Sequence, residues 1–293
     1  MAVFHTLHNY LSGLRRAPIR RHETASPPLF SDAAPVQSSN WHPHFGQITD
    51  TSLNVWLARF AAVPATWSLV LATDERTGSE LLCQLLGQTG RLGRPSEYLN
   101  CGWMRRFIHD YPDDIQEQLS IAHHVGTTPN GCFSMKLHPW HIDLLSTAEG
   151  AVAAAFPSPR FVRLIRQDLL GQAISLLRAR QTGSYHSHIQ EEKPATYDAN
   201  AIDGIIRDLS RNRARWDMYF ARIGVIPLLV TYEELCTDTF GVLTRIATFM
   251  GETVHHKDLV GMLPIRKQAN SQSWEWRERY VRERGDINYL DRM

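Results

Sequence analysis

Apolar and polar positions change their period along this chain of 293 residues. Four short runs are apolar almost throughout: WSLVLAT at 67–73, GCFSMKLH at 131–138, RFVRLIR at 160–166 and VIPLLVTY at 225–232. Such runs, with little polar alternation, predict parallel strands covered on both faces. Between them the apolar period lengthens to that of a helix. LLCQLLGQ opens one helical pattern near Ser79. Residues 168–182 predict a second, with Asp168 as N-cap and Gly183 as its stop. A third runs from Asp198 over 198–223, with Ile202, Ile205, Ile206, Leu209, Trp216, Tyr219, Phe220 and Ile223 on one stripe and Gly224 ending it. Residues 238–250 follow the last strand as a fourth. Strands alternating with helices imply an α/β fold around a parallel sheet.

Residues 1–64 break that rhythm and read as an N-terminal extension to a main domain of 65–293. The first 22 residues hold Arg15, Arg16, Arg20 and Arg21 and no acid, and TASPPLFSDAAPVQSSNW follows. No long apolar stretch accompanies the arginines, so a secretory signal is not expected. TSLNVWLARFAA at 51–62 predicts a short amphipathic helix leading into the main domain.

Composition narrows the class. Hydrophobic residues make up 43% and charged residues 21%, with a net charge of +1. That balance supplies no basic field for nucleic acid or an anionic membrane. No apolar run reaches the about 20 residues of a transmembrane helix. The four cysteines, Cys83, Cys101, Cys132 and Cys236, form no Cys-x-x-Cys pair and read as reduced thiols of a cytoplasmic protein. His42 with His44, His123 with His124, His186 with His188 and His255 with His256 lack further ligands at zinc-site spacing, so no metal is expected.

The stretch ATDERTGSELL at 72–82 lies where the first strand gives way to a helix. In parallel α/β sheets ligands collect at such carboxyl ends, where helix N-termini point. Gly78 permits a tight turn, Thr77 and Ser79 offer hydroxyls, Arg76 offers a forked cation, and the helix from Ser79 offers free N–H groups to an anion. The ATPase loop Gly-x-x-x-x-Gly-Lys-Ser/Thr is absent, which disfavours magnesium-assisted phosphoryl transfer. A plain strand-to-helix turn remains a second reading of the loop alone.

Arg76-Thr-Gly-Ser79 after an apolar strand resembles the Pro-Arg-Ser-Gly-Ser-Thr loop of bacterial sulfotransferases of the trehalose 2-sulfotransferase type. Further segments resemble that family in order: Gly93-Arg-Pro-Ser-Glu97-Tyr98, GCFSMKL at 131–137, Ile165-Arg166 through Ser175, Gln181-Thr-Gly183, and Gln268-Ala-Asn270. The similarity covers about residues 66 to 282. It implies a P-loop-like three-layer fold with a central parallel sheet flanked by helices. It also implies 3′-phosphoadenosine 5′-phosphosulfate (PAPS) as co-substrate, no metal, a sugar or glycolipid acceptor, and a homodimer. Asp74, Glu75 and Glu80 depart from the family's loop, and three carboxylates beside a dianion repel it unless they point away or pair with a base.

On that resemblance, Arg76, Thr77, Gly78 and Ser79 grip the 5′-phosphate, with Arg76 stabilising charge on the leaving group. Arg166 and Ser175, with Arg178 one turn further on, take the 3′-phosphate. Glu97 is the general base for the acceptor hydroxyl. Lys136 and His138 share one face of their strand by period-two alternation. Lys136 is expected near the sulfate, and His138 is the rival base. Gln268 and Asn270, beside Arg266 and Lys267, are expected to cover the nucleotide. GSYHSHIQEEKPATY at 183–197 is expected to loop over the acceptor. Trp274 and Trp276 are expected in the core or at a dimer contact. Two other functions stay open on sequence: a small-molecule kinase on the same loop geometry, and a degenerate fold kept for carbohydrate or partner binding.

Overall fold

The computed structural model describes residues 41–42, 46–47, 51–146, 155–185, 194–259 and 271–290. Four strands form one parallel sheet: β1 (Trp67–Thr73), β2 (Cys132–Leu137), β3 (Pro159–Ile165) and β4 (Leu228–Thr231), in the spatial order β2-β1-β3-β4. Three lie inside the runs that the apolar pattern marks, and β3 begins one residue earlier, at Pro159. In register, Ala72 of β1 sits between Leu137 of β2 and Arg163 of β3.

Alternation along each strand divides the core. On one face Val70, Ala72, Phe133, Met135, Leu137 and Phe161 pack against helices α4 (Ile115–Gly126), α5 (Pro139–Ser146) and α7 (Ala199–Ile223), with Trp216 and Phe220 reaching in from α7. The other face puts Leu69, Leu71, Val162, Leu164 and Val230 against α2 (Ser79–Gln88), α8 (Tyr232–Thr237) and α9 (Thr239–Met250). A smaller cluster joins α6 (Leu169–Thr182) to α7 and α10 (Ser271–Arg284) through Ile174, Ile202, Ile205 and Trp276. Burying each large side chain contributes about 1.5–3 kcal/mol, so the sheet is held from both sides.

The signals read at Asp168, Asp198, Gly183 and Gly224 act as read: each aspartate accepts an N–H of the first turn, and each glycine ends its helix in a left-handed conformation. Asp238 and Gly251, not singled out in the sequence, do the same for α9. Ile223 keeps the spacing of the stripe but is exposed where α7 ends at Gly224. Residues Leu53–Leu57 form α1, whose Trp56 is fully buried in the first core. The short α3 (Cys101–Met104) completes the described helices used below.

The strand order fixes where a ligand can sit. The chain leaves β1 for β2 on one side, then returns past β1 to β3 on the other. Crossovers thus part at the carboxyl end of β1, the place where open parallel sheets bind their ligands. The stretch 74–78 occupies that end.

Candidate active site

The turn after β1 is built from two left-handed residues, Arg76 (φ 61°) and Gly78 (φ 78°). Gly78 is required sterically as well: a Cβ there would lie 2.7 Å from the Tyr232 ring. Arg76 has no such licence, and a left-handed non-glycine costs about 1–2 kcal/mol. Gly78 caps α2 without a side-chain hydrogen bond, so α2 turns its first N–H groups and positive dipole end toward the carboxyl end of β1.

Side chains do not all point as the sequence suggests. Thr77 is fully buried, and its hydroxyl bonds to Thr73 Oγ1 (2.5 Å) and donates to the Asp74 carbonyl (3.0 Å). The expected Thr77 hydroxyl donor is therefore spent inside the turn. Ser79 is buried at the first position of α2. Arg76 swings to α6, where its Nε donates to Ser175 Oγ at 3.0 Å and its terminal nitrogen to the Tyr185 carbonyl. Burial lowers the Arg76 pKa; Glu80 opposes that, and the charges of Arg166 and Arg178 add to it.

Arg166, at the end of β3, lies over the Tyr232 ring at 4.8 Å, and its Nε is buried without a hydrogen-bond partner. Arg178 is buried one turn beyond Ser175 and donates to Ser273 Oγ on α10 at 2.9 Å. The structure thus gathers Arg76, Arg166, Ser175 and Arg178 around one spot. The charges of Arg166 and Arg178 act against that of Arg76, with Glu80 opposing them, and Asp168 lies 3.9 Å from Arg166.

A second cluster forms on β2. The segment 93–98 runs alongside that strand, with Lys136 N donating to the Ser96 carbonyl at 3.2 Å. Gly93 (φ 72°) makes the approach possible, since a Cβ there would fall 1.8 Å from Ser134 Oγ. Tyr98, fully buried, anchors the segment by donating its hydroxyl to the Arg94 carbonyl at 2.6 Å. Glu97 is delivered to the carboxyl end of β2. Its Oε1 accepts from Lys136 Nζ at 2.7 Å and lies 3.2 Å from His138 Nε2; its Oε2 accepts from Asn100 Nδ2 at 2.8 Å. Lys136 and His138 share a strand face as period two requires.

Burial would raise the Glu97 carboxyl, but Lys136 and His138 outweigh it and hold the group well below the carboxylate range. Burial works to lower the Lys136 ammonium, and Glu97 reverses this and raises it. Glu97 and Lys136 are therefore a charged couple at neutral pH. An ionised Glu97 can only accept, so His138 Nε2 is the donor of that contact. His141 Nδ1 accepts the His138 backbone N–H at 2.8 Å, and burial, with the charge of His138, keeps its imidazole well below its usual value.

The three anomalous acids separate. Asp74 is 1% exposed and pairs with Arg163 of β3 at 2.6 Å. Glu75 gives its backbone carbonyl to Gln172 Nε2 at 2.6 Å. Glu80 stays near the site, where its charge acts on Arg76 and Lys136. Trp276 packs with α6 and α7, whereas Trp274 is 61% exposed. Gln268, Asn270, Arg266, Lys267 and residues 186–193 lie outside the described residues. Among the described residues no group of three or more potential metal ligands occurs. No described helix is long and apolar enough to cross a membrane.

Sequence reading missed Arg163, Asn100, His141, Gln172 and Tyr232. Arg163 was detectable: a charge inside the alternation Phe161-Val162-Arg163-Leu164 must find a buried partner.

Against known proteins, residues 68–283 match the family model described as Stf0 sulphotransferase. Trehalose 2-sulfotransferase of Mycobacterium tuberculosis (strain ATCC 35801 / TMC 107 / Erdman) is 31% identical, the match spanning 73% of this chain and 94% of that protein. The trehalose 2-sulfotransferase of Mycolicibacterium smegmatis is 27% identical with the same coverage. Among solved structures, sulfotransferase STF9 from Mycobacterium avium aligns over 78% of this chain and 71% of its own, with a TM-score of 0.46 and 15% identity. The chain belongs to the Stf0 sulphotransferase family and is a sulfotransferase.

Proposed function

We propose that the enzyme takes its sulfuryl group from PAPS and passes it to a hydroxyl of a carbohydrate or glycolipid, releasing 3′,5′-ADP. One observation carries the donor: Arg76 on Ser175, with Arg166 and Arg178 beside them, makes a cationic site that suits a nucleotide with phosphates at both ends. The carbohydrate acceptor is supported by the relatives, both named as trehalose 2-sulfotransferases.

In this reading the α2 N-terminus and the Gly78 turn hold the 5′-phosphate that leaves. Arg166, Ser175 and Arg178 hold the 3′-phosphate. Arg76 spans the two ends rather than facing the sulfur. Lys136 is the cation next to Glu97, and it neutralises the sulfuryl oxygens as negative charge shifts. The acceptor oxygen attacks sulfur in line while its proton passes to Glu97. The bond from sulfur to the phosphate oxygen breaks, and that oxygen keeps the electron pair. No metal is required, because the transferred group carries less charge than a phosphoryl group.

Glu97 is a feeble base while Lys136 and His138 both donate to it. Drawing Lys136 toward the sulfuryl group raises the basicity of Glu97 when the donor is bound. His138 donates to Glu97 through Nε2, so its role is orientation of that carboxylate. Residues 1–64 are read as an extension of the catalytic domain, with Leu53–Leu57 docked on it. A cytoplasmic location is in keeping with the free cysteines, and a homodimer is what the resemblance implies.

Labelled PAPS offered with a panel of sugars and glycolipids tests the reading. Glu97→Gln should retain 3′,5′-ADP binding and lose transfer by about a hundredfold or more. Undiminished turnover would hand the base to His138. A kinase would instead label its product from ATP.

A further inference from the structure

The turn that carries Arg76 is tied down on both sides of that residue. Trp216 Nε1 of α7 donates to the Thr73 carbonyl at 3.1 Å. Asp74 Oδ2 accepts from Arg163 at 2.6 Å, and Arg163 also donates to the Ala72 and Leu164 carbonyls at 3.3 and 3.2 Å. The Arg163 guanidinium lies over the Trp216 ring at 5.7 Å. Gln172 of α6 donates through Nε2 to the Glu75 carbonyl at 2.6 Å and accepts from Arg213 through Oε1 at 2.9 Å. Thr77 closes the turn on the Asp74 carbonyl. Residues 73, 74, 75 and 77 are therefore all fixed. Residue 76, between them, is the left-handed non-glycine.

Stability alone explains this poorly. Arg163 lies opposite Ala72 in register and Asp74 is two residues along, so both project on the sheet face otherwise filled by Val70, Phe161 and Trp216. Apolar side chains there would avoid desolvating two charges, and such replacement of a buried pair is often neutral or stabilising. What an ion pair adds is direction. A left-handed arginine persists only where its surroundings over-determine it.

We propose that Asp74 and Gln172 are positioning residues for Arg76. Asp74, through Arg163, and Gln172, through the Glu75 carbonyl, hold the turn in the one shape that sends the Arg76 guanidinium to Ser175. The pairing also sets the Arg163 charge against that of Asp74, so the carboxylate opposes an incoming anion less. The inference rests on the donor site proposed above.

The test is a double-mutant cycle read by calorimetric titration with 3′,5′-ADP, beside KM for PAPS and for the acceptor. Asp74→Asn keeps the shape of the side chain but strands the Arg163 charge, which puts folding at risk. Gln172→Met, which removes one tether at similar volume, keeps the question answerable. Gln172→Met should weaken 3′,5′-ADP and raise the KM for PAPS about tenfold, leave the acceptor KM alone, and cost little further once Ser175→Ala is present. A general packing defect would move the acceptor KM equally and add to Ser175→Ala. Full additivity, or unchanged 3′,5′-ADP affinity in Gln172→Met, overturns the inference and leaves the donor reading standing. Absence of binding in the wild type overturns the donor reading and the inference with it.

Discussion

Arg76 Nε donates to Ser175 Oγ at 3.0 Å across 99 positions of sequence, joining the turn after β1 to helix α6. Two segments that separately suggest the two ends of a nucleotide are thereby one surface. Arg166 and Arg178 add their charge to the same spot.

Ser175→Ala removes the partner of Arg76 and, in the proposed complex, a hydroxyl for the 3′-phosphate. A hydrogen bond to a charged group contributes about 1.5–3 kcal/mol. Affinity for 3′,5′-ADP should fall roughly ten- to a hundredfold, while affinity for 5′-AMP changes little. Parallel titrations of the two nucleotides measure the difference.

Lys136→Met takes the nearer cation from Glu97, whose carboxyl is held low against its own burial by Lys136 and His138. Loss of an opposite charge disfavours the ionised form, so the Glu97 pKa should rise. The acid limb of the kcat/KM profile should move to higher pH, with kcat lowered at its plateau. A limb that stays in place would separate Glu97 from the observed ionisation.

Acid should destabilise the fold in two stages. His141 is held well below 6.5, so below that pH the unfolded chain binds a proton that the folded protein refuses. Stability then falls with pH, by about 1.4 kcal/mol per unit for one proton at most. Glu97 is held well below 4.5; its contribution is complete above that value and is lost as pH drops through the folded pKa. Lys136 is raised above 10.5, so its share persists below that pH and disappears only in stronger alkali. Urea titrations from pH 8 to 4 should show the first decline beginning near 6.5, and His141→Asn should reduce it, leaving the part due to His123, which burial also holds below 6.5.

Much of this was legible beforehand because it is local. The β1 and β2 runs are buried on both faces, and an unbroken apolar string is the direct imprint of that environment. Asp168 and Asp198 announce helix starts because a short acceptor side chain reaches its own first turn. Glu97, Lys136 and His138 met as the family order and strand parity imply. Non-local pairing was hidden. Nothing near Asp74 in sequence names Arg163 as its partner, 89 positions on. The turn of the Thr77 hydroxyl inward depends on Thr73, which sequence reading assigned only to a strand. Helix α4 escaped notice because His123 and His124 dilute its stripe, although Asp114 caps it as the aspartates do elsewhere.

The most direct test is calorimetric titration of the wild-type protein, free of magnesium, with 3′,5′-ADP, 5′-AMP and ATP. The account predicts that 3′,5′-ADP binds most tightly, by at least about tenfold over 5′-AMP, the margin of one charge-assisted phosphate contact. Equal affinity for 3′,5′-ADP and 5′-AMP, or preference for ATP, would contradict it.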